Sequence, residues 1–159
     1  MNYTKIQQDL VKELVKKPTN RTFVKVGKYK KFDDEYIFIC TGYVGLFIPE
    51  RYFYLDYEKL VVELGEMTQT VIEGFVKTNL YDAYKTDEVR MLPKNRTKKL
   101  GPCTFYKVPD KEDKVLVSDE LMKYFDGDTT YKGTIRKAPI FVYENEELVG
   151  FALPINYDK

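Results

Sequence analysis

Two apolar hairpin patterns, one near each end of the 159-residue chain, constrain its fold more than any other feature. The C-terminal pattern covers residues 139–155, where two apolar runs flank the polar tetrapeptide 144–147. Apolar runs joined by a short polar turn are typical of a β-hairpin. A second pattern covers residues 36–49, and both contain a Val-Gly pair followed by three apolar residues and a proline. We therefore predict two similar hairpins that pack into one interior.

An amphipathic helix and a strand precede the first hairpin. Apolar side chains recur at helical spacing at Tyr3, Ile6, Leu10 and Leu14. Pro18 ends this helix, because the residue before a proline is disfavoured in the helical conformation. Residues 22–29 then predict a strand, and the charged residues 30–35 predict the turn that leads into the hairpin.

The second half repeats this order of elements. Residues 114–117 predict a strand, Ser118 is suited to cap a short helix, and residues 130–136 alternate as a strand before the C-terminal hairpin. We therefore predict an α+β fold made of two related units, each a helix followed by antiparallel strands. These units form pseudo-repeat halves over residues 1–50 and 104–159.

The middle segment, residues 51–103, breaks the repeat, and the whole chain 1–159 is predicted to form a single domain. Residues 52–55 predict a short strand, and Asp56 is suited to cap a helix that follows it. For residues 68–79 the apolar spacing favours a helix, whereas the threonines and β-branched residues favour a pair of strands.

Composition argues against several kinds of chemistry. The sequence has no histidine and only two cysteines, which removes the commonest general base, the histidine-activated nucleophiles and a zinc tetrad. No glycine-rich phosphate loop is present. Asp126 and Asp128 offer carboxylates for a cation, but Asp-Gly-Asp after a short helix is also ordinary turn chemistry. We predict a non-enzymatic protein without a metal or a cofactor.

Charge and hydropathy limit the partners. Lysine plus arginine number 26 against 25 aspartates and glutamates, so nucleic-acid contact would need a local basic patch. No apolar run approaches the roughly 20 residues of a membrane-spanning helix, and the N-terminal segment lacks an apolar signal core. We expect a cytoplasmic protein that makes no membrane contact.

The densest basic patch is a polar loop that contains Lys94, Arg96, Lys98 and Lys99. One interpretation is that this loop contacts phosphate groups, in which case binding weakens as salt rises. The other is a solvated loop, because short runs of charge usually face water. Lys5 and Lys12 on the first helix would extend the patch if that helix faces the same side.

Tyrosine is abundant, and five of the 14 tyrosines lie in the middle segment: Tyr52, Tyr54, Tyr57, Tyr81 and Tyr84. Tyrosine combines a large apolar ring with a polar tip and is enriched at recognition surfaces. Each one singly also fits a half-buried position in a strand or helix. As a group, they predict a partner-binding surface.

Residues 115–125 have the pattern of a strand followed by a short helix, and the strands after them end with Ala-Leu-Pro-Ile at 152–155. In this order they resemble one domain of a bacterial DNA sliding clamp, with weaker likeness over residues 4–49 and hardly any over 50–100. The family pairs two such units per domain, with helices lining a DNA channel. The resemblance therefore implies a clamp-like fold. Bacterial clamps carry three domains per chain, whereas this chain has room for one. The short helix also offers only Lys123 as a cation, so DNA encirclement does not follow.

Two expectations about function result. The first is a clamp-like or DNA-associated accessory factor of phage or mobile-element origin, which contacts DNA through the basic residues. The alternative is an inhibitor or adaptor that binds a host protein through the tyrosines and through exposed strand edges. A homo-oligomer is compatible with both.

Overall fold

The computed structural model describes residues 1–80, 84–89, 101–107, 112, 114–133 and 138–155, without the side chains of 79, 80 and 84–89. Within these ranges the helices are α1 (Tyr3–Leu14), α2 (Tyr57–Leu64) and α3 (Gln69–Leu80). The strands are β1 (Phe23–Lys31), β2 (Asp34–Thr41), β3 (Val44–Pro49), β4 (Tyr84–Val89), β5 (Cys103–Lys107), β6 (Lys114–Ser118), β7 (Thr129–Gly133), β8 (Ile140–Glu144) and β9 (Glu147–Ala152).

These nine strands form one antiparallel sheet in the order β1-β2-β3-β9-β8-β7-β4-β5-β6. The predicted α+β class is therefore confirmed. Both predicted hairpins are present as β2–β3 and β8–β9, and the pairing of β3 with β9 joins them. The strand order is symmetric about that pair, with β2 and β1 on one side and β8 and β7 on the other. That the two halves are related repeats stays a prediction.

Local sequence signals set the helix boundaries. The Asn2 side chain caps α1 by accepting a hydrogen bond from the Lys5 amide at 3.0 Å. Asp56 caps α2 in the same way from the Lys59 amide at 3.2 Å, and Gly65 ends α2 with a φ of +89°. Of the two interpretations of residues 68–79, the helix is the one observed, because α3 spans nearly the same residues.

Two segments differ from expectation. The strand predicted at 52–55 is wrong, because Glu50–Tyr52 form a short 3-10 helix and Phe53 to Leu55 pair with no strand in the described ranges. The short helix predicted after Ser118 is a four-residue 3-10 helix, Asp119–Met122. Tyr124 lies two residues beyond this helix and is buried. Its carbonyl accepts a hydrogen bond from the Asn2 amide at 3.0 Å, so the chain contacts the start of α1 immediately after the short helix.

Alternation along the central strands divides the interior into two cores. In β2, Ile37 and Ile39 face a largely aliphatic core that they share with Ile6 and Leu10 of α1. Phe38, between them, faces an aromatic core on the opposite side of the sheet. The aromatic core is covered by α3 and includes Phe38, Phe47, Phe141, Phe151, Ile72 and Val76. Both sheet faces are therefore buried along the central strands.

The sheet curls, because the aliphatic core contains residues from strands at its two opposite ends. Val26 of β1 and Val117 of β6 belong to the same buried cluster, although seven strands separate β1 from β6 in the sheet order. The segment after β9 contributes as well, since the Ile155 amide donates to the Leu116 carbonyl of β6 at 2.8 Å.

The segment between α2 and α3 covers the outer edge of β1. The Val26 amide donates to the Gly65 carbonyl at 3.1 Å, and the Met67 amide donates to the Val26 carbonyl at 2.7 Å. Further along, the Gln69 side-chain amide bonds both backbone groups of Lys30 at 3.0 Å. Strand addition by a partner is therefore blocked at these positions.

Arg21 joins the C-terminal ends of two helices. Its guanidinium donates to the Leu14 carbonyl at the end of α1 at 3.0 Å and to the Glu63 carbonyl of α2 at 2.9 Å. Carbonyls in the last turn of a helix lack intrahelical partners and lie at the negative end of the helix dipole. The guanidinium therefore stabilises both helix ends. None of the described helices is long and apolar enough to cross a bilayer.

We predict that Gly150→Ala destabilises the protein. A Cβ atom at Gly150 would lie 2.5 Å from the Gly45 carbonyl oxygen and 2.7 Å from the Phe125 ring, and the backbone oxygen cannot move without breaking the β3–β9 pair. Overpacking of this kind costs about 1–3 kcal/mol in the free energy of unfolding. Urea unfolding measures the loss.

Gly42→Ala is the matched control, because no atom lies within 4 Å of a Cβ at that position. Equal urea midpoints for both variants and the parent protein would contradict the prediction.

Candidate functional site

A buried glutamine holds the tyrosine-rich segment against α1. Gln7 is fully buried, and its side-chain amide donates to the Tyr52 carbonyl at 2.9 Å and accepts from the Tyr54 amide at 2.8 Å. A buried amide side chain needs such partners, because burial without hydrogen bonds costs free energy. The backbone from Tyr52 to Tyr54 is thereby fixed to the first helix.

This anchored backbone alternates between inward and outward side chains. Phe53 and Leu55 pack against the aliphatic core, whereas Tyr52 and Tyr54 are 49% and 61% exposed. The segment therefore presents two aromatic side chains to solvent, while the Tyr52 carbonyl and the Tyr54 amide of its backbone are both hydrogen-bonded to Gln7. Tyrosines on a loop without such hydrogen bonds would not be held in a fixed position.

Tyr52 is also the middle layer of a three-part stack. Its ring lies 5.2 Å from the Tyr3 ring, with an angle of 14° between the planes, and the Arg51 guanidinium carbon lies 4.9 Å from its centroid. Burial raises the pKa of the Tyr3 hydroxyl, and the nearby Glu144 carboxylate raises it further. We call the group formed by the exposed Arg51, Tyr52 and Tyr54 and the half-buried Tyr3 the tyrosine surface.

Tyr57 takes part in an internal network instead. Its hydroxyl donates to the Glu66 carboxylate at 2.7 Å, and the Lys28 ammonium lies 5.0 Å from its ring centroid. Partial burial raises the pKa of the Tyr57 hydroxyl, and the hydrogen bond to Glu66 raises it further. These contacts link α2 to β1, so Tyr57 has a structural role independent of any partner.

The remaining predicted site residues are dispersed. Tyr84 is the first residue of β4, where it pairs with Gly133 of β7. Lys5 and Lys12 lie on the exposed side of α1, with Lys12 at 3.8 Å from Asp9. The other five lie outside the described residues: Tyr81, Lys94, Arg96, Lys98 and Lys99. Whether the basic loop meets α1 therefore stays a prediction.

Carboxylates do not converge on a cation site in the described ranges. No group of three or more histidine, cysteine, aspartate or glutamate side chains there could hold a metal ion. Asp126 lies 3.4 Å from the Met1 amino group and is half-exposed, and Asp128 is exposed. The Asp-Gly-Asp sequence forms the bend between the 3-10 helix and β7.

Tyr3 and Arg51 belong to the tyrosine surface and Gln7 supports it, but none of the three was predicted from sequence as a site residue. Gln7 occupies the position one turn after Tyr3 and one turn before Leu10, on the apolar side of α1. A lone amide on an apolar helix face is a signal that it bonds a buried backbone segment. That signal does not say which segment, since Tyr54 is 47 residues away.

A cavity of about 370 Å³ lies between α1, the start of β1, the β2–β3 turn and the 3-10 helix Asp119–Met122. Its acidic side chains are engaged within the protein. Asp9 accepts from the Tyr124 hydroxyl at 2.8 Å, and Glu120 accepts from Lys123 at 2.6 Å. Glu13 accepts from both the Thr22 amide and Lys16. These contacts tie α1 to its neighbours, and we assign the cavity no ligand.

The hydrogen bonds to Glu13 predict that the stability of the folded protein decreases at acidic pH. Burial raises the pKa of its carboxyl group, but hydrogen bonds from Lys16 and from the Thr22 amide outweigh burial, so the pKa lies below its usual value. A lowered pKa in the folded state adds stability above the unfolded value of about 4.3, and this is lost as pH falls through the folded value. We expect Glu13→Gln to flatten the fall in urea midpoint below about pH 4.3.

Glu120→Gln controls for the loss of one negative charge, because the Glu120 side chain is 74% exposed. An acid profile that is identical in the parent protein and the Glu13→Gln variant would contradict this interpretation.

Comparison of the chain with protein-family models, curated proteins and solved structures finds no match. The resemblance of residues 114–155 to a sliding-clamp domain is neither supported nor contradicted by these comparisons. Function has to be argued from the residues that the structure brings together, among which the tyrosine surface is an exposed group on an anchored backbone.

Proposed function

We propose that this chain is a non-enzymatic, cytoplasmic binding protein that docks a protein partner on its tyrosine surface. The observation that carries the proposal is the anchoring of residues 52–54 by the buried Gln7, while Tyr52 and Tyr54 remain exposed. A surface that is ordered before binding loses less conformational entropy when the partner arrives. Tyrosine adds to this advantage, because it offers a large contact area with few rotatable bonds.

The partner that this surface fits has an acidic side chain beside an apolar patch. The Arg51 guanidinium stacks on Tyr52, and its edge can still donate paired hydrogen bonds to a carboxylate. The two exposed rings supply apolar area, and their hydroxyl groups supply hydrogen bonds at the rim. Tyrosine and arginine are also the side chains that most often dominate binding energy at protein interfaces.

Capture from the native host lysate tests this proposal when it is done with matched variants. We expect the double variant Tyr52→Ala, Tyr54→Ala to lose the captured protein, with at least a tenfold rise in the dissociation constant once the partner is purified, corresponding to about 1.4 kcal/mol or more. Gln7→Leu should weaken binding too, because it releases the anchored backbone. Thermal unfolding of each variant checks that the fold is retained.

Tyr43→Ala is the control variant, since Tyr43 is a 65% exposed tyrosine in the β2–β3 turn. The proposal fails if the double variant captures the same protein as well as Tyr43→Ala does. Measuring the size of the purified chain shows whether the bound partner is a second copy of the chain or a host protein.

DNA association through α1 is the second candidate function. Lys5 and Lys12 are exposed and lie seven residues apart, which places them on the same side of the helix. Exposed lysines at this spacing can contact successive phosphates along a duplex. The basic loop at Lys94 to Lys99 would add to this surface if it lies nearby.

Duplex binding at two salt concentrations tests the second candidate. We expect the Lys5→Glu, Lys12→Glu variant to bind a labelled duplex at least tenfold more weakly at low salt. It should also show a shallower salt dependence, by about 0.9 in the log–log slope for each lost phosphate contact. Lys59→Glu, an exposed lysine on α2, is the control. A salt-independent affinity, or equal binding by both variants, would remove this candidate.

A further inference from the structure

An open groove of about 610 Å³ lies between the β1–β2 hairpin, α3 and the β8–β9 hairpin. Three aromatic side chains line it: Tyr29, Phe32 and Tyr143. In the described ranges Lys31 and Lys77 line it as well, whereas the side chain of Lys30 alternates to the opposite face of β1, across from Glu35. The groove is separate from the tyrosine surface and from the exposed lysines of α1, so its ligand is a separate question.

Phe32 stands out in this groove for its exposure and its backbone. It is 88% exposed at the first position of the two-residue turn between β1 and β2, with a φ of +55°. A bulky side chain in the left-handed region is strained, and glycine or asparagine usually occupies such positions. At the same first position the β8–β9 turn has Asn145, at φ +49°, although Glu146 at its second position also has a positive φ of +65°. Phe32 therefore serves neither the turn nor the core, and strained residues of this kind cluster at functional sites.

The charge of the groove favours a polyanion. Glu73, the acidic side chain that lines it within the described ranges, already pairs with Lys77 at 3.0 Å. Lys31 belongs to no ion pair within the part of the chain that the structure describes. A further cation, Lys132, lies 4.6 Å from the Tyr143 ring centroid.

An acidic hollow bounds the groove on its other side. A smaller cavity of about 160 Å³ shares Tyr29, Lys31 and Phe32 with the groove but adds Asp34, Glu146 and Glu147. These carboxylates repel a polyanion from the β8–β9 turn. A negatively charged chain is therefore confined to the α3 side of Phe32.

We propose that this groove binds single-stranded nucleic acid. Unpaired bases stack on the exposed Phe32 ring and on Tyr143, while Lys31 and Lys77 contact the backbone phosphates. Aromatic platforms beside a cationic groove are the arrangement by which proteins hold single strands without sequence preference. A duplex keeps its bases stacked inside and gains nothing from the rings. An acidic peptide would use the lysines but would not need the exposed Phe32.

Fluorescence anisotropy with a labelled oligothymidylate of about 15 nucleotides tests the proposal. Phe32→Gly is the most informative variant, because glycine relieves the positive φ while it removes the ring. We expect this variant to unfold at an equal or higher temperature than the parent protein and to bind about tenfold more weakly. Lys31→Glu should weaken binding and reduce the log–log salt slope by about 0.7 or more.

Tyr43→Ala and Lys59→Glu are the controls for loss of an exposed ring and of an exposed lysine. Three results would each overturn the proposal. The first is the absence of oligothymidylate binding at low salt. The second is parental affinity in Phe32→Gly. The third is equal or tighter binding of a duplex of the same sequence or of a polyglutamate of equal length that Lys31→Glu weakens as much as it weakens oligothymidylate binding, which would assign the groove to duplex DNA or to acidic protein segments.

Discussion

The structure depends on how closely β3 and β9 approach each other at two glycines. Gly45 pairs with Phe151, and Gly150 pairs with Leu46, in the only contact by which the described strands β1–β3 join the rest of the sheet. A side chain at Gly45 would meet the Phe151 ring at 2.4 Å, and one at Gly150 would meet the Gly45 carbonyl at 2.5 Å. The missing side chains leave room for aromatic rings instead, with Phe38 and Phe151 over Gly45 and Phe125 over Gly150. One continuous sheet and its aromatic core follow from this pairing.

Because both faces of the central sheet are buried, a partner can reach only its edges, its turns and the segments that pack around it. The aliphatic core takes up one side of α1 and α2, and the aromatic core takes up α3. The segment after α2 covers the edge of β1 at Val26 and Lys30. Two of the exposed aromatic groups lie where a backbone is held from outside the sheet: the tyrosine surface, tied by Gln7, and the hairpin tip at Phe32. Rigid support for an exposed ring is the feature that these two places share.

Sequence reasoning succeeded where a local pattern has one physical solution. Tyr3, Ile6, Leu10 and Leu14 fall on one side of a helix, whereas a strand would place Tyr3 opposite the other three, and α1 is that helix. The apolar runs that flank short turns, among them Ile37 to Ile39, predicted two hairpins, and β2–β3 and β8–β9 are those hairpins. It failed at residues 52–55, where Tyr, Phe, Tyr and Leu alternate like a strand but bond a side chain of α1 in place of a neighbouring strand. The strand β4 was not predicted at all, since Tyr84–Val89 is mostly polar.

By itself, the sequence determined the apolar side of α1, the start of α2 after Asp56, and that two apolar hairpins form. These properties depend on contacts within about one turn of helix or one hairpin, and periodicity records them directly. Only the tertiary structure decided that Gln7 holds Tyr52 and Tyr54 and that lysines from β1 and α3 flank the ring of Phe32. The physical reason is that a buried amide requires hydrogen-bond partners and a groove requires elements to line it. Neither requirement specifies which distant part of the chain supplies those partners or those elements.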